Sequence, residues 1–321
     1  MQSLTTPVVL FIYRRPATTK QVFNQIRTAQ PTQLFIVADG WKSEDEKKLC
    51  EAARAVTEMI DWPCEVQRQY AAANMGDRLR IPSGLDWVFQ QVDRAIIIED
   101  DTVPDQSFFY FCQEMLNHYK NNERVMHITG VNLQHNNKAF YCPTSYYFSN
   151  IPVVNSWATW RRAWQQYDPD MEAWGGLETR RYIFELLGQA PAALLVDSML
   201  TEAYEQLHAQ QQSSGVSWDR QWWLTCALHQ GACVTPRVNL IRNIGYGPGA
   251  TRTTEAHNGL LENLPTAPIT FPLVHPTSLS IMTRADFHIL RCNWKLYSTI
   301  RQRFDHRLRK WRYLTRKVFM V

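Results

Sequence analysis

Three runs in the first hundred residues, PVVLFIY (7–13), LFIV (34–37) and AIII (95–98), carry almost nothing but apolar side chains. A strand with one face in water alternates apolar and polar residues. A strand without that alternation must be covered on both faces, as in a parallel sheet between two layers of helices. The segments between these runs have helical character. Pro16 is placed to open a helix reaching Gln30, and Ser43 with Glu46 has capping-box spacing for a helix to about Ile60. CEVQRQY (64–70) reads as a further strand and the stretch from Pro82 to about Gln91 as a helix. SFFYFCQEMLNHYK (107–120) reads as the helix after AIII. Strands and helices that alternate in this way predict an α/β fold. The second half is less regular. VMHITGVN (125–132) and SYYFS (145–149) read as strands, helices are expected near 196–211 and 218–230, and NIGYGPGATRTTEAHNG (243–259) reads as a glycine-rich loop.

Composition narrows the class. The 321 residues are 45% hydrophobic and 20% charged, enough for one large core. No apolar run approaches the roughly 20 residues of a membrane-spanning helix. The start, MQSLTTPVVLFIYRRP, has no basic residue ahead of its apolar stretch and reads as a first strand, not a signal peptide. Seven scattered cysteines without a CxxC argue against a disulfide framework or a zinc site and fit a reducing cytoplasm. Twelve tryptophans are many, and Trp157, Trp160, Trp164 and Trp174 lie close together, as core or as a platform for sugar rings.

Charge is concentrated at one end. From Arg291 to Val321 ten lysines or arginines stand against one acid, Asp305. Trp294, Tyr297, Ile300, Phe304 and Leu308 recur at spacings of three and four, an apolar stripe on a basic helix. Such a helix packs on its own domain or lies on an anionic membrane surface. No nucleic-acid-binding module accompanies it, so a nucleic-acid partner is not expected.

The third apolar run leads into three adjacent carboxylates, Glu99, Asp100 and Asp101, in AIIIEDDTVPDQSFF. In a parallel sheet, ligands bind beyond the carboxyl ends of the strands. Clustered carboxylates at such an end are either a solvated acidic turn with helix-capping acids or the ligands of a hard cation such as Mg²⁺ or Mn²⁺.

IIIEDD followed by TVPDQSFFYFC resembles the Glu-Asp-Asp form of the DxD signature of GT-A glycosyltransferases, in particular the inverting N-acetylglucosaminyltransferase I type and related bacterial proteins. The resemblance covers residues 7–132 well and 150–255 more loosely. It implies a Rossmann-like mixed sheet flanked by helices, a nucleotide-sugar donor (a UDP-sugar above all), a glycan or lipid-linked saccharide acceptor, and Mn²⁺ or Mg²⁺. It divides the chain into a GT-A domain over 1–283, with a nucleotide-sugar half over 1–132 and an acceptor half over 133–283. The basic helical extension over 284–321 lies outside it.

Residue by residue, the resemblance implies that Arg15 in FIYRRP contacts the nucleotide and that Asp39 in VADG reads the uracil edge. Arg80 stands where the family has a histidine near the nucleotide. Asp101 would hold the metal, Asp100 would lie near the ribose, and Glu99 would stand behind the metal or face the nucleotide. Asp219 in SWDRQWW matches the catalytic base, although an acid in a helix's first turn is also stabilised by the macrodipole alone. Asn155, Ser156 and Trp157 in NSWATWRR match an acceptor-side loop. Arg252 would close on the diphosphate, and His275 in LVHP would add a metal ligand.

Two rival readings remain. A nucleotidyltransferase making nucleotide-sugars shares an α/β sheet and an acidic metal site, but normally carries a glycine-rich phosphate loop after its first strand, and YRRPATTKQ has no glycine. A non-catalytic nucleotide-sugar or glycan-binding protein would not need both the metal acid and the base. The basic tail would attach a cytoplasmic enzyme to the inner face of a membrane.

Overall fold

The computed structural model describes residues 3–188, 190–209, 217–246 and 264–292. Strand β1 (Val8–Ile12) leads through α1 (Pro16–Ala29) to β2 (Gln33–Ala38), and α2 (Glu44–Val56) leads to β3 (Glu65–Tyr70). Helix α3 (Asp77–Phe89) then crosses back to β4 (Arg94–Glu99) on the other side of β1. After a short strand β5 (Thr102–Pro104) come α4 (Gln106–His118), β6 (Val125–Thr129), β7 (Tyr146–Ser149), β8 (Trp157–Trp160) and α5 (Arg161–Trp164). Helices α6 (Leu177–Leu187), α7 (Ala190–Leu207) and α8 (Trp218–Leu228) precede β9 (Ala232–Pro236), β10 (Ile241–Asn243) and α9 (Thr283–Cys292).

Eight strands form one sheet in the order β3-β2-β1-β4-β8-β6-β9-β7. β1 to β4 pair in parallel, β8 runs antiparallel between β4 and β6, and β7 runs antiparallel to β9. The mixed α/β sheet flanked by helices is thus as expected. Its continuous apolar strands are explained by burial on both faces. In β1, Val8, Leu10 and Ile12 join one core with α1 and α4, while Val9 and Phe11 join a second core with α3, α5 and α8. β5 and β10 form a separate antiparallel ribbon beside the end of β4.

The structure corrects several sequence expectations. Helix α3 begins at Asp77, five residues before Pro82, which sits inside it. Gly76, at φ 71°, turns the chain there, and its carbonyl accepts the N–H of Arg80 at 2.8 Å. Glycine alone adopts that φ without steric cost. NSWATWRR, expected as a loop, supplies β8 in mid-sheet. Arg252, most of the glycine-rich stretch, and the tail from residue 293 lie outside the described residues. No described helix is long and apolar enough to cross a membrane.

Candidate active site

The direction of chain progression reverses between β1 and β4. Connections after β1 move outward through β2 to β3, and α3 returns the chain to β4 on β1's other side. The loops leaving two such neighbouring strands part, and a crevice opens at their carboxyl ends. Arg15 follows β1 and the acidic triplet ends β4, so the two meet at that edge of the sheet. The Arg15 guanidinium forms an ion pair with Asp101 and lies 3.9 Å from Asp100. Asp100, buried, accepts the N–H of Tyr13 at 3.0 Å, which ties the triplet directly to the end of β1.

Three carboxylates share this place with one guanidinium. Burial, then Asp101, Asp100 and Asp77, push the Glu99 carboxyl well above the usual carboxylate range, against the pull of Arg15. Burial and Asp101 likewise push Asp100 up. Among the described residues the carboxyls here resist ionising together, an added cation would ease that repulsion, and the donors are hard oxygens of the kind Mg²⁺ or Mn²⁺ prefers. Among the described residues no three acidic, histidine or cysteine side chains are grouped to hold a metal by themselves. The donor set matches an ion bound by one or two carboxylates and completed by substrate phosphate and water.

Gly245, beside β10, comes close against Asp101. The N–H of Ile244 bonds the Asp101 carbonyl at 2.8 Å, and a Cβ at Gly245 would fall 2.1 Å from Asp101 Oδ2. Only glycine lets the backbone approach a carboxylate so closely. The sequence reading missed this residue, although its place in a glycine-rich stretch was a signal.

Asp219 occupies the first turn of α8. Because α8 descends to the start of β9, which runs parallel to β6, its N-terminus lies toward the carboxyl edge that also carries the triplet. Asp219 Oδ1 is buried with no hydrogen-bond partner among the described residues. Its neighbour Tyr167 has a phenol pushed up by burial, then by Asp219 and Asp86. The Tyr167 hydroxyl donates to the Trp218 carbonyl at 3.4 Å, and its ring stacks on Trp164 at 4.5 Å.

Five other assignments change. Asp39 is saturated: Oδ1 accepts from Gly40 N and Met75 N, and Oδ2 from Asn74 Nδ2 and Gly76 N, all between 2.8 and 3.0 Å. A carboxylate has about four lone-pair sites, so none remains to read a uracil edge, and Asp39 instead clamps the loop before α3. Arg80 is only 5% exposed and donates to the carbonyls of Ala38 and Gln69 and to Gln69 Oε1. It ties α3 to the ends of β2 and β3, so its guanidinium is taken up by the fold. His275 stacks on His118, the last residue of α4, with centroids 4.2 Å apart, and its Nδ1 bonds the Tyr146 hydroxyl. The triplet precedes the first turn of that helix, roughly 18 Å away along its axis, so His275 does not join Asp101 on one ion.

Trp157 and Ser156 are the remaining two. Both have no exposed surface, whereas Asn155 beside them stays partly exposed. Trp157 stacks between His127, at 4.9 Å, and Trp218, at 5.7 Å, so it is core and not an acceptor contact. The stack has a function of its own, since Trp218 pins the start of α8 and so places Asp219. His127 completes it: Trp222 Nε1 donates to His127 Nδ1 at 3.2 Å, and Nε2 must then donate to the Val153 carbonyl at 3.1 Å. Both ring nitrogens are used by the neutral form, and burial lowers the imidazole pKa to about 3.

This has a consequence for stability. Unfolded, His127 titrates near 6.5, so between that pH and about 3 the unfolded chain binds the extra proton. Stability contributed by His127 is complete above pH 6.5 and is lost as pH falls, at up to about 1.4 kcal/mol per unit. Denaturant titrations at pH 7 and pH 4.5 are expected to show a larger loss for wild type than for His127→Gln. Equal losses would mean that His127 is not buried neutral.

No protein-family model and no curated protein matches this sequence. Solved structures similar to it include the galactosyltransferase LgtC in complex with donor and acceptor sugar analogues, at 9% identity and TM-score 0.35, over 72% of this chain and 73% of that one. UDP-glucose pyrophosphorylase complexed with UDP-glucose is similar at 8% identity and TM-score 0.36, over 72% and 90%. Mouse xyloside xylosyltransferase 1 is similar at 11% identity and TM-score 0.35, over 69% and 81%. Likeness at this level transfers no activity or substrate to the chain.

Proposed function

We propose that the protein is a metal-dependent, inverting glycosyltransferase that moves a sugar from a UDP-sugar to a glycan or lipid-linked saccharide. The carrying observation is the ion pair of Arg15 with Asp101 in the Glu99–Asp101 triplet, and the unpartnered, buried oxygen of Asp219 in the first turn of α8 supports the choice of base. Asp101 would hold Mn²⁺ or Mg²⁺, which offsets the charge of the departing diphosphate. Arg15 adds a fixed positive charge beside it. The acceptor hydroxyl attacks the anomeric carbon, the bond to the diphosphate breaks with its electron pair leaving on phosphate oxygen, and Asp219 takes the hydroxyl proton. Asn155 remains the acceptor-side candidate, and the halves 1–132 and 133–283 would divide donor from acceptor.

A nucleotidyltransferase is the weaker reading. Pro16 is the first residue of α1, so the helix behind the β1 loop begins without an N–H where a phosphate cradle needs donors. The test is thermal shift against a panel of UDP- and GDP-sugars with Mn²⁺ and with EDTA, followed by donor hydrolysis. Mn²⁺-dependent stabilisation with slow release of free sugar is expected. Binding without turnover would favour a non-catalytic binding protein, and pyrophosphate-dependent turnover would favour the nucleotidyltransferase. The anomeric configuration of the transfer product, read by NMR, tests inversion.

A further inference from the structure

Among the described residues four that are not glycine have positive φ: Gln30, Ser156, Met171 and Gln230. Gln30 and Gln230 lie at the C-terminal ends of α1 and α8, where left-handed residues are routine, and Met171 precedes a single 3₁₀ turn. Ser156 is different. At φ 54° it opens β8 in the middle of the sheet and is fully buried. A side-chain-bearing residue in that region costs on the order of 1 kcal/mol, and such strain persists where the surroundings over-determine it. Glycine would relax the backbone at no steric cost, so what a serine keeps there is its hydroxyl.

The hydroxyl has a defined task. Ser156 Oγ lies 2.7 Å from Thr102 Oγ1, which lies 3.1 Å from the Glu99 carbonyl and 3.3 Å from the Glu99 N–H. A threonine hydroxyl has one proton and two acceptor sites. Its proton must go to the Glu99 carbonyl, which can only accept. One lone pair takes the Glu99 N–H, and the other is left for the proton of Ser156. The Ser156 carbonyl meanwhile accepts the Gly130 N–H at 3.0 Å, which fixes it to the end of β6. The relay closes the Glu99–Thr102 turn that carries Asp100 and Asp101.

We propose that Ser156 is a positioning residue that sets the geometry of the acidic triplet, through its donated hydrogen bond to Thr102, for binding a metal–nucleoside diphosphate. This rests on the reading given under the proposed function. It also replaces the acceptor contact expected of Ser156 with a donor-side role.

Ser156→Gly keeps the backbone φ and deletes the hydroxyl, leaving a buried acceptor on Thr102 unpaired. Calorimetry with UDP, and separately GDP, in Mn²⁺ and in EDTA is the measurement. The Mn²⁺-dependent affinity is expected to fall about tenfold, with the affinity in EDTA unchanged. Thr102→Val cuts the same relay from the other side and should give a similar loss, and the double variant should bind no worse than either single one. Equal Mn²⁺-dependent affinity in wild type and variants would overturn the role. So would equal weakening with and without metal, which marks a general folding defect. If wild type itself shows no Mn²⁺-dependent binding of either nucleotide, the donor-site reading fails and the positioning role falls with it, an outcome distinct from the first two.

Discussion

Asp219→Asn is expected to lower sugar transfer by at least about 100-fold while leaving donor affinity nearly unchanged. The exchange keeps the shape of the side chain and removes its ability to take a proton. Asp219 Oδ1 is buried without a hydrogen-bond partner among the described residues. An unsatisfied buried acceptor destabilises the fold by about 1–3 kcal/mol, and an oxygen so placed is open to receive a proton. The competing account is that Asp219 is only a first-turn acid favoured by the dipole of α8. That account expects a stability loss of about 0.3–1 kcal/mol in the asparagine variant and no change in rate. Rate and unfolding free energy measured on the same preparation separate the two. Transfer at a near-normal rate would remove Asp219 from the chemistry.

Asp101→Ala is expected to abolish Mn²⁺-dependent donor binding, so that the variant in Mn²⁺ behaves as wild type does in EDTA. Asp101 is the acid that pairs with Arg15 and lies against Gly245, so it sits where charge and close backbone approach coincide. Gly245→Ala tests the same point without removing a carboxylate. Its Cβ would displace the Asp101 oxygen that now lies 2.1 Å from the position it would occupy, and a displacement near 1 Å in a positioned group costs up to about 100-fold. Calorimetry on both variants is the check. Undiminished Mn²⁺-dependent affinity in Asp101→Ala would show that the triplet does not hold the ion.

The meeting of Arg15 with the acidic triplet was legible where chemistry and strand ends coincide. Arg15 and the triplet each follow an uninterrupted apolar strand, and the rule that ligands gather at the carboxyl ends of parallel strands joins them without coordinates. Asp39 satisfies the same rule and Arg80 follows only from the family resemblance, yet both are consumed by the fold. Residue type and position cannot reveal that four donors already surround the Asp39 carboxylate, or that Arg80 reaches three acceptors on β2 and β3. Hydrogen-bond saturation depends on neighbours from elsewhere in the chain.

The sequence by itself determined the first half of the sheet. Burial on both faces leaves a continuous apolar signature, and the helix-opening proline and serine lie next to the segments they start. It also determined that an acidic, oxygen-rich cluster ends β4. Tertiary structure alone decided the second half. β8 enters the sheet antiparallel between β4 and β6, whereas the family resemblance puts its short WATW segment in an acceptor-side loop. That insertion buries Trp157 against His127 and Trp218, brings Ser156 to Thr102, and sets the start of α8. α4 leads away from the triplet by its own length, so that His275, stacked on its last residue, stands a helix length off. The physical reason is range. Periodicity and capping act over a few residues and are written locally, whereas the pairing that places Ser156 beside Thr102 spans 54 residues and is selected only by the packing of the whole sheet.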